Sequence, residues 1–301
     1  MKYLVYILMP LAVLLAAASL GCVVGYLIWL GFGDQFPLHK IISKVGKLFL
    51  VLSIFPVMAV LHLKGRDLGF ADKATMLRQF GYGLGLGVLT LLPVFIVLYL
   101  AGVHVIDETR SWSFAWVLQK FVTGFLLALL ISLAEEPIFR GILFAGLKQR
   151  MPVIGVVLIS SFYYGILHFL DSHSRFANEE VTFFSGFVLL KEALLNVMNP
   201  DILPAFLALF MVGVFLGVVR SRVPNSLALC IGCHTAWVWQ IKFNKSLFNV
   251  DPESPNLYLV SSYDGVVGPL VTVWMLLAVF CYIGYRYLYP SKIKIRRLGA
   301  R

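Results

Sequence analysis

The sequence predicts an all-α protein, a polytopic bundle of about eight membrane-crossing helices, and three observations carry that reading. Of the 301 residues 60% are apolar, only 13% are charged, and the mean hydropathy is +0.88. Soluble domains are roughly 45 to 50% apolar and about 25% charged. The apolar residues also fall into eight runs, most of them near the roughly 20 residues that a helix needs to cross a bilayer. A soluble globular domain is therefore excluded. Residues 1–301 read as a single integral membrane domain with short loops.

The first run, residues 3–31, follows Lys2. It is longer than the apolar part of a secretory signal, about 7 to 15 residues, and no Leu stands three places before Cys22, so a retained anchor is expected. The other runs are residues 47–63, 80–103, 114–147, 153–170, 202–219, 226–241 and 266–287. The longest loop, 171–201, holds a partly apolar stretch at 181–195, expected as a re-entrant or interfacial helix above the site. Its charged residues Asp171, His173, Arg175, Glu179 and Glu180 read as a solvated loop. Two glycine series, Gly81, Gly83, Gly85 and Gly87, then Gly213 and Gly217, are expected where helices approach closely.

The net charge of +10 sits at the ends of the runs, which points to membrane orientation and not to a nucleic-acid partner. Taking loops in alternation, one side collects Lys2, Lys64, Arg66, Lys73, Arg78, Lys148, Arg150, Arg220, Arg222, Arg286 and the tail Lys292, Lys294, Arg296, Arg297 and Arg301. That is more than half of the 25 basic residues, while most of the 15 acids lie on the other side. Both termini are therefore expected in the cytoplasm, with the tail favouring anionic lipid. Lys40, Lys44 and Lys47 fall against this rule. Cys22, Cys230, Cys233 and Cys281 all lie in apolar runs, so no disulfide framework is expected.

Chemistry concentrates in the fourth run at Glu135-Glu136-Pro137-Ile138-Phe139-Arg140. Ionisable groups at that depth cost several kcal/mol unless paired or wetted, so they are functional candidates. Glu136 and Arg140, four apart, share a helical face and can pair; Glu135 lies about 100° round the helix and stays free. Pro137 removes the backbone donor to the Leu133 carbonyl and can open the helix just before the acids. The next run carries Tyr164 and His168, and the seventh carries Cys230-Ile231-Gly232-Cys233-His234. By helical rise, Glu135 and His234 stand roughly 15 to 22 Å from the cytoplasmic ends of their helices and His168 about 24 to 27 Å, so His168 must tilt or start lower to join them.

A carboxylate and two imidazoles at one depth can activate water, with one His stabilising the oxyanion. Glu135, His168 and His234 can equally hold a zinc ion, and spacing does not choose between these. A proton-coupled transporter using the same groups as a relay is a different reading. Cys230-x-x-Cys233-His234 also matches a haem-attachment signature, but its thiols lie inside an apolar helix, so no haem is expected.

The pattern resembles the CPBP family of intramembrane proteases, which includes the CAAX prenyl endopeptidases, the bacteriocin-processing and immunity proteins and the Abi proteins. The family motifs are EExxxR, FxxxH and HxxxN on successive helices. Glu135, Glu136 and Arg140 fit the first; Tyr164 and His168 fit the second with Tyr in place of Phe; His234 opens the third, whose Asn position is Val238. The resemblance spans about residues 117–240. It implies that Glu135 and His168 activate water, that His234 polarises the scissile carbonyl, and that Glu136, Arg140 and Tyr164 support them. It implies hydrolysis of a membrane-associated peptide or protein, glutamic or metal-assisted in type, and the chain is expected in a bacterial inner membrane. Val238 leaves the oxyanion hole short of a donor. Either Thr235, Trp237 or Trp239 replaces it, or the chain is a catalytically inactive scaffold or immunity protein on the same fold.

Overall fold

The computed structural model describes residues 2–32, 35–110 and 112–288. The basic tail Lys292, Lys294, Arg296, Arg297 and Arg301, expected as an orientation signal, lies outside the described residues, as does the side chain of Lys2.

All eight apolar runs are helical. They form α1 (Lys2–Phe32), the pair α2 (Leu38–Leu52) and α3 (Ile54–Val60), α4 (Lys73–Leu100), α5 (Phe114–Glu136) continuing through a π-helix (Pro137–Leu143) into α6 (Phe144–Lys148), α7 (Val153–Leu167), α9 (Leu203–Arg222), α10 (Leu227–Leu247) and α11 (Pro269–Leu288). The partly apolar stretch of the long loop is α8 (Ser185–Asn196). Among the described residues five stretches are long and apolar enough to cross a membrane: Leu4–Phe32, Leu38–Val60, Lys73–Leu100, Phe114–Lys148 and Pro200–Arg222. Val153–Leu167 and Pro269–Tyr285 are shorter apolar helices. Helix α10 is more polar at its end, where Gln240, Lys242 and Lys245 stand.

Local chemistry sets several boundaries. The Asp72 carboxylate accepts the Thr75 amide at 3.0 Å and starts α4, and the Ser113 hydroxyl accepts the Trp116 amide at 3.3 Å and starts α5. Such caps satisfy donors that the first helical turn leaves unpaired. The second helix begins at Leu38, well before the expected 47. Leu38 and Ile41 are buried one turn apart while Lys40, Lys44 and Lys47 are exposed, so this is an amphipathic turn that a search for unbroken apolar runs passes over.

Helix α10 lies between α4 and α5, α7 packs on α9 and α9 on α11, while α1 packs on α2 and α8. The close approaches divide the glycines. Side chains at Gly83 and Gly87 would collide with the backbone of α10 around Cys233, and at Gly213 with Ser161, while one at Gly217 would press tightly on Val157, as expected for packing glycines. Gly81 and Gly85 face open space on the other side of α4, so half of that first series has no packing role.

Two three-residue strands, β1 (His104–Ile106) and β2 (Phe248–Val250), pair antiparallel in the register His104 with Val250 and Ile106 with Phe248. They tie the loop after α4 to the end of α10. His104 also donates from Nε2 to the Gly265 carbonyl at 2.9 Å, fastening the turn before α11 to the same corner.

Candidate active site

Glu135 and Glu136 close α5, and the backbone change falls after them. The expected opening ahead of the acids is absent: α5 runs unbroken to Glu136, and residues 137–143 widen into a π-helix. Proline lacks the amide donor that the tighter ladder uses, and single π turns of this kind favour functional sites. The widened turn is held from outside by α9, whose Arg220 donates from Nε to the Arg140 carbonyl at 3.0 Å and from Nη2 to the Asp67 carbonyl at 3.1 Å. Gly69 makes room for it. Its φ is +97°, and the Arg220 guanidinium occupies the space a β-carbon would need.

Glu136 is fully buried, and one of its oxygens serves two partners. Oε1 accepts from Arg140 Nη1 at 3.1 Å and lies 2.9 Å from His234 Nδ1. Arg140, also buried, sends Nη2 to the Gly213 carbonyl at 3.4 Å and lies over the Tyr164 ring, 4.2 Å from its centroid. A buried guanidinium is tolerable because a carboxylate, a carbonyl and an aromatic face together replace its water. The Tyr164 ring edge meets His168 and His234, with centroids 4.8 and 6.0 Å away. It therefore spaces the two imidazoles.

Glu135 is turned the other way, as the helical angle predicts. Its Oε2 lies 4.0 Å from His168 Nε2 and 3.9 Å from His234 Nε2, with no direct hydrogen bond. Its side chain is 31% exposed and that of His168 21%, whereas His234 is buried, so the centre is reached from the Glu135 and His168 side. His168 joins the other two from the very end of α7. The helix ends at Leu167, and His168 is its C-terminal cap, with Nδ1 2.7 Å from the Tyr164 carbonyl. A carbonyl only accepts, so Nδ1 carries the proton and Nε2 faces Glu135.

All six residues singled out in the sequence thus meet. The three donors considered for the missing Asn are engaged elsewhere. Thr235 Oγ1 bonds the Ile231 carbonyl at 2.7 Å, Trp237 Nε1 the Thr90 hydroxyl at 2.8 Å, and Trp239 Nε1 the Phe121 carbonyl at 3.0 Å. Arg220 was read only as an orientation charge, and nothing in its spacing reveals that it holds the π-helix. Within the long loop Arg175 donates to the Ser172 and Ser174 carbonyls, each at 2.8 Å, and Glu192 accepts the Ser174 hydroxyl. Among the described residues no group of three His, Cys, Asp or Glu side chains is placed to hold a metal ion, and the four cysteines are free thiols.

The fold and this centre define a helical integral membrane protein with an acid–imidazole site where α5, α7 and α10 meet. Residues 115–240 match the family model described as type II CAAX prenyl endopeptidase Rce1-like, which bears out the resemblance read from the three motifs. The matched segment and the motif-bearing segment coincide almost end to end. Searches of the curated proteins and of the solved structures each found no match.

Proposed function

We propose that the chain is an intramembrane endopeptidase that hydrolyses a peptide bond in a membrane-associated peptide or protein. The observation that carries this is Glu135 Oε2 facing two imidazole nitrogens at 4.0 and 3.9 Å. These gaps are too long for direct hydrogen bonds but admit a water at roughly 2.8 Å from both Glu135 and His168. Glu135 takes one proton of that water, and His168 Nε2 accepts the other hydrogen and aims the oxygen lone pair. The oxygen adds to the scissile carbonyl carbon. His234 acts as an imidazolium that keeps both its protons throughout: Nε2–H donates to the oxyanion as it forms, while Nδ1–H points to Glu136 Oε1. Collapse of the tetrahedral species breaks the C–N bond, and the proton held on Glu135 passes to the leaving amine.

Arg140 and the Tyr164 ring keep Glu136 and both imidazoles in place, so they position the reacting groups without touching them. We place the protein in a bacterial inner membrane with both termini cytoplasmic, on the distribution of basic residues. Cleavage of fluorogenic membrane peptides by the purified protein tests the reading. Activity lost in both Glu135→Gln and His168→Ala supports it, and cleavage retained in either contradicts it. Val238 favours a second reading, an inactive scaffold or immunity protein, which predicts a folded wild type that cleaves nothing.

A further inference from the structure

Helix α8, in the long loop, reaches His168 through the backbone. Its inner face is set by Leu189 and Ala193, both buried, and the three- and four-residue spacing of a helix puts Glu192 and Asn196 on the same face. Both polar side chains take hold of the chain as it leaves α7. Asn196 Nδ2 donates to the Phe169 carbonyl at 3.0 Å. Glu192 accepts the Ser174 amide with Oε2 at 3.2 Å and the Ser174 hydroxyl with Oε1. The helix is itself anchored: it packs on α1 and α2, and the Cys22 thiol donates to the Gly186 carbonyl at 3.2 Å.

The end of α7 needs that outside support. His168 stands beyond the last α-helical residue, Leu167. The amides of His168, Phe169 and Leu170 reach back only three residues, to the carbonyls of Gly165, Ile166 and Leu167 at 3.3, 3.1 and 3.5 Å. Bonds of this tighter kind have poorer geometry, and the last carbonyls of a helix find no partner within it, so such ends fray. The His168 ring is tied to the same turn, with Nδ1 2.7 Å from the Tyr164 carbonyl, so a loosened turn carries the imidazole with it. Phe169, the next residue, is gripped twice. Its ring is buried and lies 5.1 Å from that of Tyr263, and its carbonyl is held by Asn196.

We propose that Asn196 is a positioning residue for His168: by pairing the Phe169 carbonyl it keeps the last turn of α7 closed and holds His168 Nε2 at its 4.0 Å distance from Glu135 Oε2. This rests on the peptidase reading above, in which a water between those two groups attacks the substrate. Asn196 touches neither that water nor the substrate and acts through the backbone alone. A displacement of about 1 Å at a reacting group costs on the order of 100-fold in rate, so a small relaxation of the turn is enough to be felt.

The test compares wild type with Asn196→Ala and with Asn196→Asp, which keeps the shape of the side chain but sets an oxygen against the Phe169 carbonyl. On a fluorogenic membrane peptide both variants are expected to lower kcat about tenfold or more with KM little changed. A kcat within about twofold of wild type in both overturns the assignment and leaves the peptidase reading standing. A second measurement needs no substrate. In protein labelled with nitrogen-15 histidine, the imidazole signal lost in His168→Ala is expected to shift in both Asn196 variants, and to shift more than the signal lost in His234→Ala. An unmoved His168 signal overturns the assignment, and so do equal shifts at the two imidazoles, which would mean a general loosening of the fold. Failure of wild type to cleave counts against the peptidase reading itself and leaves the imidazole signals to decide whether Asn196 positions His168.

Discussion

Glu136 Oε1 lies 2.9 Å from His234 Nδ1, and the same oxygen takes the Arg140 guanidinium at 3.1 Å. Two neighbouring acids on one helix therefore do opposite work. Glu136 Oε1 is engaged by an imidazole and a guanidinium, and Glu135, turned away, has Oε2 between two imidazoles with no direct hydrogen bond, the oxygen to which the proposed mechanism gives the water.

Glu136→Gln follows directly from that sharing. It leaves Arg140 buried without a counter-charge and removes the anion behind His234. Breaking a buried pair this way costs about 3 to 5 kcal/mol, so the variant is expected to melt well below wild type and to lose most activity. Thermal unfolding in detergent beside a cleavage assay checks both, and an unaltered melting point would count against the buried pair.

How much of this was legible in the sequence depends on how each feature announces itself. Charges in apolar helices stand out, so Glu135, Glu136, Arg140, His168 and His234 were all found, and the four-residue spacing of Glu136 and Arg140 already separated the two acids. The start of α2 was hidden because its Lys residues interrupt the hydropathy of a helix that buries only one face. An opening was expected just before the acids, whereas a π-helix follows them, because a proline says which amide is missing, not how the neighbouring turns relax. Arg220 is brought in by tertiary packing from α9, which no local pattern encodes. The hydrogen bonds that engage Thr235, Trp237 and Trp239 are equally invisible until the helices are packed.

Tyr164 acts through its ring. Its face carries Arg140 and its edge spaces His168 and His234, while no hydrogen bond from its hydroxyl is needed. Tyr164→Phe should therefore keep kcat within a few fold. Tyr164→Ala empties a buried site and is expected to cost about 3 kcal/mol or more of stability. Equal damage from both variants would assign a role to the hydroxyl instead.

Gly69 supports the centre from a distance. Replacing it by Ala forces a side chain into a left-handed backbone region, costing about 1 to 2 kcal/mol, and drives the new carbon into Arg220. Gly69→Ala should lower stability and activity together, and Arg220→Ala should reproduce the loss of activity by releasing the Arg140 carbonyl. Full activity in Arg220→Ala would show that the π-helix holds itself.

The loop before α5 offers a pH test. Asp107 accepts from the Thr109 hydroxyl at 2.6 Å and from Arg110 Nε at 2.6 Å, and these bonds, the hydroxyl first, hold its pKa down from 3.8 to about 2. A carboxylate with a depressed folded-state pKa stabilises the fold above its ordinary range and loses that contribution as pH falls through the folded value. The difference in melting temperature between wild type and Asp107→Asn should therefore be full at neutral pH and shrink between pH 3.8 and about 2. A difference independent of pH across that window would mean the bonds do not depend on the charge.

The most direct measurement of the central claim, that Glu135 activates the attacking water, is single-turnover cleavage of a membrane peptide by wild type and Glu135→Gln, each with and without a chelator. The account predicts cleavage by wild type that survives the chelator, and a Glu135→Gln variant that binds the peptide with similar affinity but does not cut it. Cleavage by Glu135→Gln at a rate near that of wild type would contradict the account, and loss of wild-type activity with the chelator would move the water onto a metal ion.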